Sequence, residues 1–99
     1  MKPFSLREAI EPLKNGEIVF VQAFGHSMTP LVKSGEVVRV VPITEPLKKY
    51  DIVLCRVYGR IYLHRITGIK GDQYQISNNH GHINGWTKVY NIYGKVAKT

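Results

Sequence analysis

Most of the chain alternates short runs of β-branched and aromatic residues with Gly, Pro, Asn and Asp, which is typical of short β-strands separated by turns. Two glycine-containing pairs, Gly59-Arg60 and Gly71-Asp72, are suited to tight hairpins. The sequence therefore predicts a mostly β fold: a compact antiparallel domain, built as a partly closed barrel or as two sheets. The six predicted strands are Glu17–Phe24, Val37–Ile43, Ile52–Tyr58, Ile61–Ile69, Gln73–Ser77 and Ile92–Ala97.

The first residues have a helical pattern instead. Ser5-Leu6-Arg7-Glu8 matches the S-x-x-E capping box at a helix start. Pro12 cannot donate a backbone hydrogen bond, so we expect the helix to end or kink near Glu11, before a turn at Asn15-Gly16. The predicted organisation is a single domain over residues 1–99, with a short N-terminal helix and turn over 1–16 and the β part over 17–99.

The composition indicates the class of protein and the cellular compartment to expect. The 99 residues are 43% hydrophobic, which suits one globular domain, and no purely apolar run approaches the length of a membrane span. Charged residues fall where the apolar core of a signal peptide would lie. Cys55 is the single cysteine, which excludes an intramolecular disulfide. We therefore expect a cytoplasmic protein with no membrane partner.

The charge balance suggests partners only weakly. Fourteen Lys and Arg against seven Asp and Glu give a formal net charge of +7, which favours acidic partners or nucleic acid. These basic residues are scattered along the chain, so a solvated surface is the favoured interpretation and nucleic acid a possible partner. Nothing in the pattern specifies an oligomeric state.

Two long connections concentrate residues that could carry chemistry. They cover 25–35 and 78–86 and hold three of the four histidines. Ser27 follows a predicted strand and Gly25, at a turn that can expose its hydroxyl, although such a serine can also be a simple helix cap. His64 shares a strand face with Tyr62, where a neutral imidazole could accept the serine proton or serve a structural role.

Together these stretches resemble a known superfamily. The segments G-H-S-M-T-P-L-V-K-S-G-E-V-V-R-V, K-K-Y-D-I-V-L, Y-L-H-R-I and I-Y-G-K-V, spread from Val19 to Val96, are similar to the serine proteases of the LexA-type repressor and signal peptidase superfamily. The resemblance implies a serine endopeptidase of the Ser/His type, with Ser27 as nucleophile and His64 as base. It also implies an oxyanion hole formed by the backbone N–H groups of His26 and Ser27.

The chain departs from this pattern where histidine-type signal peptidases have an aspartate. Asn79 and Asn84 lie near that place, and with His80 they are candidates for orienting the base or binding substrate. Lys33 and Lys88 are alternative bases, but neither lies on the matching strand. The alternative function is a catalytically silent protease-fold binding module that contacts nucleic acid or a protein through its basic surface.

Two further expectations concern metals and substrates. His80-Gly81-His82 has an H-x-H spacing seen in metal sites, but neither loop contains an acidic residue or a cysteine, so we expect no metal and no other cofactor. About sixteen residues precede the first predicted strand, too few for a helix-turn-helix, and no Ala-Gly or Cys-Gly bond of the family's self-cleaving type occurs. We therefore expect action in trans on a protein or peptide substrate, as would suit a phage or bacterial protein.

Overall fold

The computed structural model describes residues 2–97, which form one helix and a single antiparallel sheet of seven strands. The strands lie in the order β1-β2-β7-β3-β4-β5-β6, and the predicted mostly β, antiparallel fold with a short N-terminal helix is confirmed. No helix within this described range is long and apolar enough to cross a bilayer. The elements are α1 (Leu6–Lys14), β1 (Val19–Gln22), β2 (Val37–Val41), β3 (Ile52–Val57), β4 (Arg60–Lys70), β5 (Gln73–Ser77), β6 (Ile83–Lys88), a 3-10 turn (Val89–Asn91) and β7 (Ile92–Val96).

The sheet curls into a half-barrel around its central strand, β3. Alternate β3 side chains enter two separate clusters: Leu54 packs with α1, β1 and β2, while Val53 packs with Ile66 and Ile76 of β4 and β5. β6 lies three strands from β3 in the sheet order, yet the Thr87 hydroxyl donates a 2.8 Å hydrogen bond to the Arg56 carbonyl of β3. The curl therefore brings β6 back across the buried strand.

Helix α1 begins as expected and ends later than predicted. The capping box is confirmed, because the Glu8 N–H donates to Ser5 Oγ and the Ser5 N–H donates to Glu8 Oε1. The helix does not end near Glu11, since α1 continues through Pro12 to Lys14. Burying an apolar side chain contributes about 1.5–3 kcal/mol, so the apolar face offsets the cost of about 3 kcal/mol for an interior proline. That buried face consists of Ala9, Ile10 and Leu13.

One hairpin turn matches the prediction and one is displaced by a residue. Gly71-Asp72 joins β4 to β5 as expected. The β3–β4 turn is formed by Tyr58 and Gly59, with φ of 48° and 80°, whereas Gly59-Arg60 was predicted. A two-residue turn with positive φ at both positions favours glycine second, so Arg60 starts β4, paired with Val57.

The largest correction is the seventh strand, β6, which lies mostly in the segment 78–86 that was predicted to be a loop. The Asn84-Gly85 pair reads as a turn in sequence. In the structure Ser77 pairs with Ile83 and Ile76 pairs with Gly85, so Asn84 is the extra residue of a β-bulge. Strand boundaries also shift, most at β1, which is shorter at both ends than the predicted strand 17–24 because the chain leaves the sheet before Gly25.

Candidate active site

The nucleophile candidate lies on the loop that follows β1. Gly25 has φ +112°, a value that favours glycine, and its N–H donates to Ser34 Oγ at 3.0 Å, which holds the start of the loop to its end. Met28 is buried in the core while Ser27, its neighbour, is exposed. The turn therefore places Ser27 at the surface, on a loop that the buried Met28 side chain anchors to the core.

Strand β4 places His64 against that hydroxyl. His64 Nε2 is 3.1 Å from Ser27 Oγ, and His64 Nδ1 is 2.7 Å from Asn84 Oδ1. An amide oxygen can only accept, so Nδ1 carries the ring proton and donates it to Asn84. The lone pair of Nε2 is then available to accept the Ser27 hydroxyl proton.

The surroundings of His64 favour this neutral form. The side chain is 7% exposed, and burial lowers its pKa below the usual value. The hydrogen bond to Asn84 opposes that shift in part, while the nearby His82 adds to it. The Tyr62 ring stacks on the imidazole with a centroid separation of 4.7 Å, which fixes the ring plane. His64 is thus held as a neutral acceptor near pH 7.

Asn84 reaches His64 because of the bulge in β6. Asn84 is the extra residue of this bulge, and the bulge turns its side chain toward β4. Gly85 follows with φ +140°. A Cβ at Gly85 would lie 2.7 Å from Cε2 of Tyr58, so the β3–β4 turn packs directly on this glycine. The backbone angle favours glycine here, and an added Cβ would also displace the exposed Tyr58 ring.

Asn79 and His80, the other two candidates, support the serine loop instead of touching His64. The Asn79 N–H donates to the Ser27 carbonyl at 2.8 Å, and its side-chain amide donates to the Thr29 carbonyl at 3.0 Å. His80 Nε2 lies 2.9 Å from the His26 carbonyl oxygen. The segment after β5 therefore clamps the backbone on both sides of Ser27.

The backbone around Ser27 leaves donors and space for a substrate. In the range 2–97, the N–H groups of His26 and Ser27 donate to no protein acceptor. A cavity of about 30 Å³ lies beside Ser27, lined by Phe24, Met28 and Leu63 among others. Two larger cavities, of about 400 and 360 Å³, include neither Ser27 nor His64.

The alternative bases and the metal spacing find no support in this geometry. Lys33 lines the cavity beside Ser27, but Lys33 and Lys88 are both exposed, and among the described residues the Ser27 hydroxyl hydrogen-bonds to His64. Of the H-x-H pair, His80 is engaged with the His26 carbonyl. In the part of the chain that the structure describes, no group of three His, Cys, Asp or Glu side chains converges. The burial of Cys55 raises the pKa of its thiol to about 12, so it is not a reactive nucleophile.

The pairing of Ser27 with His64 was expected from the resemblance, whereas the choice of Asn84 over Asn79 was not. No local signal distinguishes the two asparagines, since the bulge that selects Asn84 depends on the pairing of β5 with β6. Comparison with protein families gives a match to the family described as Peptidase S24-like over residues 3–96. A comparison with curated proteins gave no significant match.

Proposed function

The chain belongs to the Peptidase S24-like family, and on that basis we propose that it is a serine endopeptidase whose nucleophile is Ser27 and whose general base is His64. The observation that carries the proposal is the continuous chain of hydrogen bonds from Ser27 Oγ to His64 and from His64 to Asn84 Oδ1, at 3.1 and 2.7 Å. A serine, a neutral histidine and a residue that orients it are the parts that acyl transfer needs.

The proposed reaction has two halves. Ser27 Oγ attacks the peptide carbonyl carbon while its proton moves to His64 Nε2, and the N–H groups of His26 and Ser27 stabilise the oxyanion that forms. The tetrahedral intermediate collapses, and the imidazolium gives its proton to the departing amine. Water then attacks the Ser27 ester with His64 again as base, releasing the carboxyl product and restoring the hydroxyl.

Asn84 is the proposed positioning residue. By accepting the Nδ1 proton it keeps His64 in the tautomer that can deprotonate Ser27. It carries no charge, so it stabilises the imidazolium less than a carboxylate would. We therefore propose a slower enzyme than one with aspartate in the same place.

The proposed substrate is an extended segment of another polypeptide. The Ala23 carbonyl accepts from the Gly35 N–H, so the backbone groups of Phe24 face the opposite edge, directly before the serine loop. Phe4 already pairs with Phe20 and Gln22 on the same edge. An extended substrate would therefore pair at Phe24, beyond Phe4, and pass Ser27, as in other sites that bind peptides by adding a strand. The small cavity beside Ser27 fits a small side chain.

A second candidate function rests on the same uncharged Asn84. A site without a carboxylate behind the histidine suits a protease fold kept as a binding module that contacts a protein or nucleic acid. Covalent labelling separates the two functions, because only an activated serine reacts readily with a phosphonate.

The test uses a fluorophosphonate probe followed by mass spectrometry of the intact and digested protein. We expect one label, on Ser27, in the native protein, and none in Ser27→Ala or after denaturation. Ser5→Ala, which removes a hydroxyl that bonds to the Glu8 N–H at the start of α1 and not to His64, is the control and should label normally. Absence of labelling in the folded wild type would favour the binding module.

A further inference from the structure

The outer face of β4, β5 and β6 carries a tryptophan that catalysis does not use. Thr87 points inward to β3, so its neighbours Trp86 and Lys88 point to the opposite face of the sheet. On β5, Gln75 lies opposite Trp86 and Gln73 lies opposite Lys88. On β4, Gly68 lies opposite Gln75 and Lys70 lies opposite Gln73. We call this surface the tryptophan face; its residues are Gly68, Lys70, Gln73, Gln75, Trp86 and Lys88.

The Trp86 indole lies along this face. Neighbouring strands are about 4.8 Å apart, and Gly68 and Trp86 lie two strands apart, so their backbones are separated by about 9–10 Å. A Cβ built at Gly68 would nevertheless be 3.2 Å from Cη2 of Trp86 and 3.3 Å from Oε1 of Gln75. The ring therefore extends across Gln75 to reach β4. Trp86 is still 38% exposed, so part of the ring is accessible to solvent.

The Gln75 side chain, which the indole crosses, is held by a hydrogen bond. The Thr67 hydroxyl donates to Gln75 Oε1 at 3.1 Å and is 2.6 Å from Ser77 Oγ. Gly68 has no side chain that could lift the ring. A partly exposed aromatic ring that contacts the neighbouring strands is available for stacking with a planar ligand.

The charges beside the ring are positive and uncompensated. Lys70 and Lys88 lie two residues along their strands from Gly68 and Trp86, so they flank the platform on one side. Within residues 2–97 the one ion pair joins Lys95 to Asp51, so neither lysine is neutralised by a carboxylate. Among the described residues 67–77 and 83–88, Asp72 in the β4–β5 turn is the one acidic residue.

We propose that the tryptophan face binds single-stranded nucleic acid, with a base stacked on Trp86 and phosphates contacted by Lys70 and Lys88. Base stacking on an aromatic side chain together with lysine contacts to the backbone is the usual basis of single-strand binding without sequence preference. A duplex fits poorly, because its base faces are already stacked on one another and cannot stack on Trp86. The formal charge of +7 adds long-range attraction for the same partner.

Trp86 is the single tryptophan of the chain, so its fluorescence reports on this face directly. The experiment is a titration of the full chain with a single-stranded oligothymidine of about twelve nucleotides, following tryptophan emission and the anisotropy of a labelled oligonucleotide in parallel. We expect emission to be quenched as anisotropy rises, and both changes to weaken with added salt. A matched duplex should bind more weakly and quench less.

Variants assign the effect to the face. Trp86→Ala should weaken binding about five- to 150-fold, while Trp86→Phe should retain most of it. Lys70→Gln with Lys88→Gln should reduce the slope of log K against log salt by about 1.4, the value for two lost phosphate contacts. Asp72→Asn should strengthen binding. Ser27→Ala should bind like the wild type, so a failure of catalysis and a failure of binding remain distinguishable.

A matched control changes the same charge elsewhere. Lys48 and Lys49 lie in the segment between β2 and β3, outside the tryptophan face. If Lys48→Gln with Lys49→Gln weakened binding as much as the Lys70 and Lys88 pair, attraction would be diffuse and the proposal would be overturned. Anisotropy that rises without quenching would place the ligand elsewhere. Equal binding and quenching by an acidic polypeptide would make the face a protein-docking site instead.

Discussion

Asn84→Asp is the substitution that probes the proposed catalytic geometry most finely. It replaces the amide oxygen that accepts from His64 Nδ1 with a carboxylate oxygen of the same reach, at the position where the separation is 2.7 Å. The tautomer of His64 is kept, because a carboxylate also accepts from Nδ1. What changes is the charge facing the imidazolium that forms when Ser27 gives up its proton.

The magnitude follows from that distance and from the burial of the ring. A hydrogen bond to a charged group contributes about 1–1.5 kcal/mol more than one between neutral groups. Two unit charges 4 Å apart at an effective dielectric constant of about 20 attract by about 4 kcal/mol, an upper bound because the carboxylate must lose some of its water. The imidazolium should therefore be stabilised by about 1–4 kcal/mol, and the carboxylate should raise the pKa of His64.

The assay measures both consequences. NMR titration of the His64 ring should show the raised pKa, and the rate of Ser27 labelling by the fluorophosphonate should rise about tenfold or more above pH 8. At lower pH the gain should shrink, because more of the variant's His64 is protonated and unable to act as base. The rate profile should thus shift to higher pH in Asn84→Asp.

Asn78→Asp is the matched control for added charge. Asn78 Oδ1 accepts from the N–H groups of His80 and His82, a role that a carboxylate can take over, and it does not contact His64. The reasoning is refuted if Asn84→Asp leaves the His64 pKa and the labelling rate unchanged. It is also refuted if Asn78→Asp raises them equally, since the effect would then be general electrostatics.

Three other predictions concern pH, the bulge and metals. Because burial lowers the pKa of His64, the Ser27 labelling rate should fall only below the ordinary pKa of about 6.5. Urea unfolding should show that the free energy of unfolding decreases below that pH, because the unfolded chain takes up the proton first. His64→Gln should flatten this decrease. Gly85→Ala should lower the melting temperature and the labelling rate, because φ +140° is strained for alanine and its Cβ would also displace Tyr58. Gly81→Ala, at φ +87° and with nothing within 4 Å, should cost less, by calorimetry and labelling. EDTA should leave labelling and melting unchanged; a loss restored by zinc would contradict this.

The fold was largely predictable because its strands are local patterns. Alternating β-branched residues and glycine turns identify six strands without any knowledge of their partners. β6 was missed because the bulge at Asn84-Gly85 breaks the alternation, and the bulge is stabilised by pairing with β5 and by the packing of Tyr58. Pro12 was misjudged for a similar reason, since tertiary burial of the helix overrides a local signal.

The candidate site was predictable only in part. Ser27 and His64 are 37 positions apart, and the resemblance to known proteases suggested their pairing. Asn84 reaches His64 through the bulge in β6, which depends on the long-range pairing of β5 with β6. The contact of the Trp86 indole with Gly68 likewise depends on the register of three strands. Such features follow from pairing, which a single sequence does not specify.

Cleavage itself is the most direct test of the proposed peptidase. Wild-type protein, Ser27→Ala and His64→Ala would each be incubated near neutral pH with a peptide library digested from a whole proteome, and new peptide termini identified by mass spectrometry. The account predicts a set of internal cuts, with small residues before the cleaved bond, in the wild type and in neither variant. The same cuts in Ser27→Ala, or no cuts in the folded wild type, would contradict it.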